Sequence, residues 1–385
     1  MRVLTIFGTR PEAVKLCPVV QELKRRSSID SRVCVTAQHR EMLDQVLSIF
    51  DVTPDIDLNL MRPNQALADI TARILLDLNP VLEAEKPDWI IVQGDTTTVM
   101  AAALLGYYQK IKVGHVEAGL RTYNRWQPFP EEINRKIAGI VADLHFAPTE
   151  HSRQNLLKEG IPDWRIKVTG NPVIDALNQI AKQPMPEKIK KLLSEIGVLD
   201  GQKKLVAVTA HRRENFGEPL RKICNAIRKL ADDYGDQIHL VYPVHLNPNV
   251  QETVYPLLKD HPSITLLPPA TYDEMIALEK NATMMLTDSG GIQEEVTTFG
   301  IPTLVLRHKT ERPEGVSAGF LHLVGDDEQL IYDTAVKLLQ DKEGLNDLKS
   351  LDNPFGDGHA SRHIVDALLQ FTDQESDMQE NGRNP

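Results

Sequence analysis

The chain has 385 residues, 41% of them hydrophobic and 25% charged, an ordinary globular composition long enough for two domains of typical size. Its formal net charge of −11, with no Lys/Arg run, argues against nucleic acid as a partner, so an anionic ligand would depend on local positive groups. No apolar run reaches the roughly 18 residues a membrane-spanning helix needs, and Cys17, Cys34 and Cys224, odd in number and without CxxC spacing, read as buried thiols in a reducing cytoplasm.

Strand-like apolar runs alternate with helix-length segments along the chain. Met1–Phe7 reads as a strand rather than a signal peptide, with Val3–Phe7 its apolar core. In the first half Val33–Ala37, Trp89–Gln93, Val113–Val116, His145–Ala147 and Lys167–Thr169 follow it, with Val14–Arg26 and Leu67–Glu83 as amphipathic helices between. In the second half the runs are Leu205–Thr209, His239–Pro243, Ile264–Leu267, Met284–Leu286 and Thr303–Leu306. Unbroken Val/Ile-rich strands spaced by helices indicate parallel sheets covered on both faces. The alternation breaks between Asn171 and Lys204, where Pro172, Pro184 and Pro186 accompany a Lys-rich helical stretch. The expectation is an α/β chain of two Rossmann-like domains with parallel sheets and an interdomain cleft: residues 1–170, and residues 171–359. From about Thr372 the chain is polar and is expected to fray.

In such sheets ligands lie beyond the carboxyl ends of strands, so the residues just after each strand are the candidates. Gly8-Thr9-Arg10-Pro11 follows the first strand; Gly8 permits a turn, Pro11 suits a helix start, and Arg10 and Lys15 are placed to meet an anion or to be solvated. Neither GxGxxG nor GxxxxGK[ST] is present, so no dinucleotide or P-loop fingerprint is found. Gly94-Asp95-Thr96 follows the Trp89–Gln93 strand, where Asp95 is also suited to capping the next helix. Glu117 follows Val116 and, being costly to bury unpaired, is expected either to pair with a cation such as Arg121 or to work in the cleft. Glu131 sits in a Pro-Glu-Glu helix start, where an acid is good structural chemistry as well as a functional candidate. His211, with Arg212 and Arg213, and then His245 follow strands of the second half, and Arg312 follows the last clear strand. No HExxH or Cys/His spacing suggests a metal.

The segment Thr287–Glu295 is the most informative. A short apolar run feeds Ser289-Gly290-Gly291 and then a helix, and a Gly-rich turn at a helix N-terminus presents free N–H groups and a positive dipole end to a phosphate. Glu295 lies six residues beyond Ser289, about 9 Å along a helix at 1.5 Å per residue, roughly the reach from a diphosphate to a ribose. Together with the carboxylates Asp95, Glu117 and Glu131, this turn points to proton transfer on a group attached to a nucleotide diphosphate.

Ten segments then resemble one family: GTRPEA (8–13), TAQHREMLDQVL (36–47), GDTTT (94–98), GHVEAGLRT (114–122), PEE.NR (130–135), TGN (169–171), TAHRREN (209–215), YPVHLNP (242–248), TDSGGIQEE (287–295) and TERPE (310–314). They are similar to the non-hydrolysing UDP-N-acetylglucosamine 2-epimerases of bacteria and archaea, over roughly residues 1–370. The resemblance implies a GT-B-type architecture, a homodimer, no cofactor, no metal, and a C-terminal helix (about 360–385) that packs back onto the first domain. It also implies interconversion of UDP-N-acetylglucosamine and UDP-N-acetylmannosamine by anti-elimination of UDP to 2-acetamidoglucal and re-addition, supplying N-acetylmannosamine for cell-surface polysaccharide. Its catalytic residues fall on Asp95, Glu117, Glu131 and His211. Arg10, Lys15 and Arg312 would stabilise the diphosphate, Ser289, Gly290 and Gly291 would bind its oxygens, Glu295 the ribose, and backbone near Tyr272 the uracil. A second UDP-N-acetylglucosamine, as activator, would meet Gln38, Glu41, Arg212 and His245. Three departures stand out. Asn64 replaces an arginine found in some members, Gln93 a more usual histidine, and His308-Lys309 an Asp-Thr pair; the last two are not expected to touch a residue assigned to chemistry. A UDP-sugar glycosyltransferase shares the fold and the nucleotide site, a hydrolysing epimerase shares the substrate, and a non-catalytic sensor would share only the binding.

Overall fold

The computed structural model describes residues 1–36, 40–60 and 65–380. Among these, β1 (Arg2–Phe7), β2 (Asp30–Val35), β3 (Ile56–Asp57), β4 (Trp89–Gln93), β5 (Lys112–Val116), β6 (Leu144–Ala147) and β7 (Ile166–Val168) form a seven-stranded sheet in the order β3-β2-β1-β4-β5-β6-β7. A six-stranded sheet follows, with β8 (Lys204–Thr209), β9 (Ile238–Pro243), β10 (Ile264–Leu267), β11 (Ala282–Thr287), β12 (Thr303–Val305) and β13 (Leu321–Leu323) in the order β10-β9-β8-β11-β12-β13. Every pairing in both sheets is parallel. Central strands such as β4 and β9 are buried at every position, which is why their sequences show no polar alternation. The expected strands are present, Trp89–Gln93 and Ile264–Leu267 with the same ends and the others with ends shifted by up to three residues; β2 stops at Val35, and Ala37 lies outside the described residues. The edge strands β3 and β13 were not expected, being only two and three residues long.

The chain divides into two compact units, Met1–Ala176 together with the segment from Phe355, and Leu177–Pro354. In the first unit the C-terminal helix Ala360–Glu380 packs on the helix Arg10–Arg25, with Arg26 paired to Asp366 at 2.7 Å. Its start is capped by Asp175, whose carboxylate accepts from the Ala360 and Ser361 amides at 3.0 and 2.8 Å. Phe371 from the same helix meets the buried Trp89 edge-on at 5.5 Å and stacks on Trp164 at 5.7 Å. In both sheets the strand order reverses beside a central strand. That makes the ends of β1 and β4 in one sheet, and of β8 and β11 in the other, topological switch points where ligands bind.

Candidate active site

Both switch points carry the residues picked out from sequence. At the first, the turn after β1 and the turn after β4 are held by one buried carboxylate. Glu12 accepts from the Gly8 and Thr9 amides at 3.1 and 2.8 Å and from the Thr96 hydroxyl at 2.8 Å. Burial pushes its pKa up, opposed by hydrogen bonds from Thr9, Thr96 and Gly8. Gly8 is required by close approach, since a Cβ there would lie 2.0 Å from Thr36 Oγ1. Arg10 opens the following helix, which runs Arg10–Arg25.

Glu117 is the centre of this half. It follows β5, is 7% exposed, and takes the left-handed backbone conformation at φ +61° that a non-glycine residue adopts only where the surroundings impose it. Lys15 and Gln93 both donate to its carboxylate, and Asn171 Nδ2 donates to Oε1 at 2.9 Å. An ammonium and two amides thus surround a carboxylate on the edge of the switch point. The expected alternative partner, Arg121, is engaged elsewhere: its guanidinium forms a bidentate pair with Glu159 at 2.8 and 2.7 Å. Gln93 also corrects the expectation that its departure from the family pattern leaves the chemistry untouched, because it contacts Glu117 directly. In the His308-Lys309 departure, His308 Nε2 pairs with Asp326 at 2.9 Å. His115, beneath this turn, bonds the Gly94 carbonyl at 2.8 Å, and burial drives its pKa down to about 4, so it is a neutral support.

Asp95 does not cap the helix Thr97–Tyr108; Thr96 does, accepting from Val99 N at 3.2 Å. Asp95 instead receives Arg135 Nε at 2.9 Å and Nη2 at 2.7 Å, while Asn134 holds its backbone carbonyl at 2.9 Å. Its side chain remains 26% exposed, so a carboxylate is fixed in orientation yet reachable. Glu131 is the first residue of the helix Glu131–Val141. The structural role at this helix start falls to its neighbour Glu132, which accepts from the Thr122 and Tyr123 amides at 3.1 and 3.0 Å and pairs with Arg135 at 3.3 Å.

At the second switch point Ser289 precedes the helix Gly290–Thr298, and its hydroxyl makes no cap hydrogen bond. The first amides of that helix are therefore presented as an anion-binding end. A Cβ on Gly290 would lie 3.0 Å from Arg312 Nη1, whereas one on Gly291 would meet no heavy atom within 4 Å. Gly290 thus makes room for the arginine, and Gly291 leaves backbone open. Arg312 is 6% exposed and paired with Glu294 at 2.8 Å and with Glu311 at 2.8 Å, so it braces the turn rather than standing as an unclaimed cation. Glu295 accepts from the Tyr272 hydroxyl at 3.1 Å. His211 follows β8, and its ring stacks on His245 with centroids 5.2 Å apart and planes inclined by 18°.

The sequence singled out no role for Asp288, and the structure gives it one. Fully buried, it accepts through Oδ2 from the His211 amide at 2.9 Å, the Arg212 amide at 2.9 Å and Asn215 Nδ2 at 2.8 Å. Its other oxygen lies 3.9 Å from His211 Nδ1. One carboxylate therefore pins the His211 loop against the phosphate-type turn. Gln38, Asn64 and the side chain of Glu41 lie outside the described residues. Among the described residues no group of three or more His, Cys, Asp or Glu is arranged to hold a metal ion, and no helix is long and apolar enough to cross a membrane.

Two parallel sheets with these loops at their switch points define a nucleotide-handling α/β enzyme, and comparison with known proteins makes the class specific. The family model described as UDP-N-acetylglucosamine 2-epimerase matches residues 21–369. A UDP-N-acetylglucosamine 2-epimerase of Yersinia pestis is 51% identical over 370 residues, covering 96% of this chain and 98% of the relative. The crystal structure of the Neisseria meningitidis UDP-GlcNAc 2-epimerase bound to UDP-GlcNAc superposes with a TM-score of 0.88 at 47% identity, covering 96% of this chain and all (100%) of that one. The Methanocaldococcus jannaschii UDP-GlcNAc 2-epimerase in complex with UDP-GlcNAc and UDP gives 0.81 at 34% identity, with 96% and 100% coverage. The chain belongs to the UDP-N-acetylglucosamine 2-epimerase family, and its fold is the GT-B-like α/β fold of that family.

Proposed function

We propose that the protein interconverts UDP-N-acetylglucosamine and UDP-N-acetylmannosamine by eliminating UDP and adding it back. The observation that carries the mechanism is the Glu117 carboxylate, buried, conformationally imposed, surrounded by Lys15, Gln93 and Asn171, with Asp95 on the neighbouring turn. The C2 proton of the sugar is not adjacent to a carbonyl and is barely acidic. Departure of UDP from C1 makes that carbon cation-like and acidifies the proton at C2. A carboxylate then takes the proton, leaving 2-acetamidoglucal and UDP, and return of a proton to the opposite face with re-addition of UDP gives the epimer. Inversion needs a proton acceptor and donor on both faces of C2, and we assign these to Glu117 and Asp95, with Glu131 sharing or organising the transfer. The balance closes without a cofactor, because the proton and the UDP that leave are both returned.

In the second half Ser289, Gly290 and Gly291 bind the diphosphate, Glu295 the ribose hydroxyls, and the segment at Tyr272 the uracil. Arg10 and His211 stabilise the departing diphosphate. Lys15 belongs with Glu117, and Arg312 supports the turn, because each is already ion-paired there. A second UDP-N-acetylglucosamine acts as activator at Arg212 and His245, and the stacking of His245 on His211 supports a link between that site and catalysis. The protein acts as a cytoplasmic homodimer. Three buried free thiols support the compartment. The dimer is supported by Leu76, Tyr107, Tyr108 and Ile140, which are 72, 62, 65 and 77% exposed on three helices, each packed on the next.

The test is a proton-NMR time course with UDP-N-acetylglucosamine in deuterated water. Formation of the epimer with deuterium at C2, and no net UDP at equilibrium, is expected. Dependence on an added acceptor would indicate a glycosyltransferase, accumulating UDP a hydrolysing enzyme, and binding without turnover a sensor.

A further inference from the structure

The nucleotide half contains a buried acid that the mechanism above does not use. Glu279 lies on the helix Tyr272–Asn281 and is 0% exposed. Among the described residues no group donates a hydrogen bond to either of its carboxyl oxygens. An ionised carboxylate there would be a desolvated charge with no donor, a costly state for a folded protein. The group beside it is another carboxyl, that of Glu295, itself 6% exposed and already bonded by the Tyr272 hydroxyl at 3.1 Å. Two neighbouring carboxyls in a dry site do not both ionise, because like charges there repel strongly. One shared proton removes the repulsion and creates a charge-assisted bond from acid to carboxylate. Glu279 is the more buried of the two and lacks donors, so the proton belongs on Glu279 and the charge on Glu295. Tyr272 and Glu279 are seven residues apart, two helical turns, so both lie on one face of the helix.

We propose that Glu279 is a positioning residue for nucleotide binding, a neutral acid whose proton is donated to Glu295 and holds that carboxylate where it receives the ribose hydroxyls. Burial, followed by the charge of Glu295, raises the Glu279 pKa well above the ordinary carboxylate value, the direction that favours the protonated acid. The inference rests on the assignment of Glu295 to the ribose, and the experiment separates the two.

Infrared difference spectra of the parent against E279Q at neutral pH report the proton directly. A protonated carboxylic carbonyl band lost in E279Q is expected, and its absence overturns the proposal whether or not E279M folds. E279M removes the donor while filling the space. The expected result is a UDP Kd about tenfold weaker by calorimetry, a KM raised with it, an unchanged kcat and a Tm no lower than the parent's. E279Q, whose amide donates permanently, keeps the Kd within about twofold of the parent. A lower Tm with unchanged Kd in E279M is the signature of a purely structural residue and overturns the proposal. E295A serves as the control. Loss of UDP affinity in E295A with none in E279M rejects the role of Glu279 alone. Intact affinity in E295A rejects the ribose assignment and the inference built on it, even where the infrared band is present.

Discussion

Glu117 shows how a side chain is fixed in place by what surrounds it. A left-handed backbone at a non-glycine residue costs on the order of 1 kcal/mol, and here it points the carboxylate at three donors from distant parts of the chain. Those donors also explain why its partner was not legible in sequence. Lys15 lies 102 residues away, and the nearer Arg121 is captured by Glu159, a competition decided by where the chain brings each cation. Asp95 was legible as a candidate because it follows a buried strand, but the capping role open to it is filled by Thr96 and its fixing by Arg135 was hidden 40 residues on. E117Q and D95N each keep shape and remove a carboxylate that the proposed mechanism uses for proton transfer, so each is expected to lower kcat by two or more orders of magnitude. Calorimetry should find UDP affinity largely retained in both, because Ser289, Gly290, Gly291 and Glu295, the residues proposed to hold UDP, follow the other sheet. A turnover rate equal to the parent's would remove that residue from the mechanism.

At the scale of elements, the central strands were readable because burial on both faces leaves an unbroken apolar run, and the helix starts were readable from Pro and Gly punctuation. The edge strands Ile56–Asp57 and Leu321–Leu323 were not read from the sequence; backbone pairing with a neighbour defines them. The Gly-rich turn was legible as a phosphate-type end, yet its connection to the His211 loop was not, because one buried side chain makes it. Asp288 gathers two backbone amides and the Asn215 amide on a single oxygen. D288A should therefore leave several polar groups in search of partners, at a cost of about 2–4 kcal/mol. The expected result is a lowered Tm and a kcat/KM reduced at least about tenfold through misplacement of His211, while D288N, which keeps an oxygen in place, falls between. Retention of full activity by D288A would show that the His211 loop orders itself without the latch.

At the scale of the whole molecule, two sets of buried groups respond to pH in opposite directions. Burial holds the pKa of His115 down to about 4, of His145 to about 3 and of His239 to about 4, against roughly 6.5 in an unfolded chain. Between those values the unfolded chain binds protons the folded one excludes. Their contribution is thus fully present above about pH 6.5 and is lost on acidification, each site adding a slope of up to about 1.4 kcal/mol per pH unit. Glu12, Asp175 and Glu279 have pKa values raised by burial, so their contribution is present below the ordinary carboxylate pKa and is lost as pH rises through the folded value. The net curve sums both sets, and a single substitution isolates one. His145 pairs in register with His115 on adjacent parallel strands, and each ring's charge would raise the cost of the other's. H145L removes one of the two protonation sites. Its Tm relative to the parent should therefore rise steadily as pH is lowered from about 7 to about 5, by roughly 2–4 °C for each kcal/mol recovered. Thermal unfolding followed by circular dichroism at several pH values measures this difference, and a constant offset across the range would mean that His145 takes up no proton cost on folding.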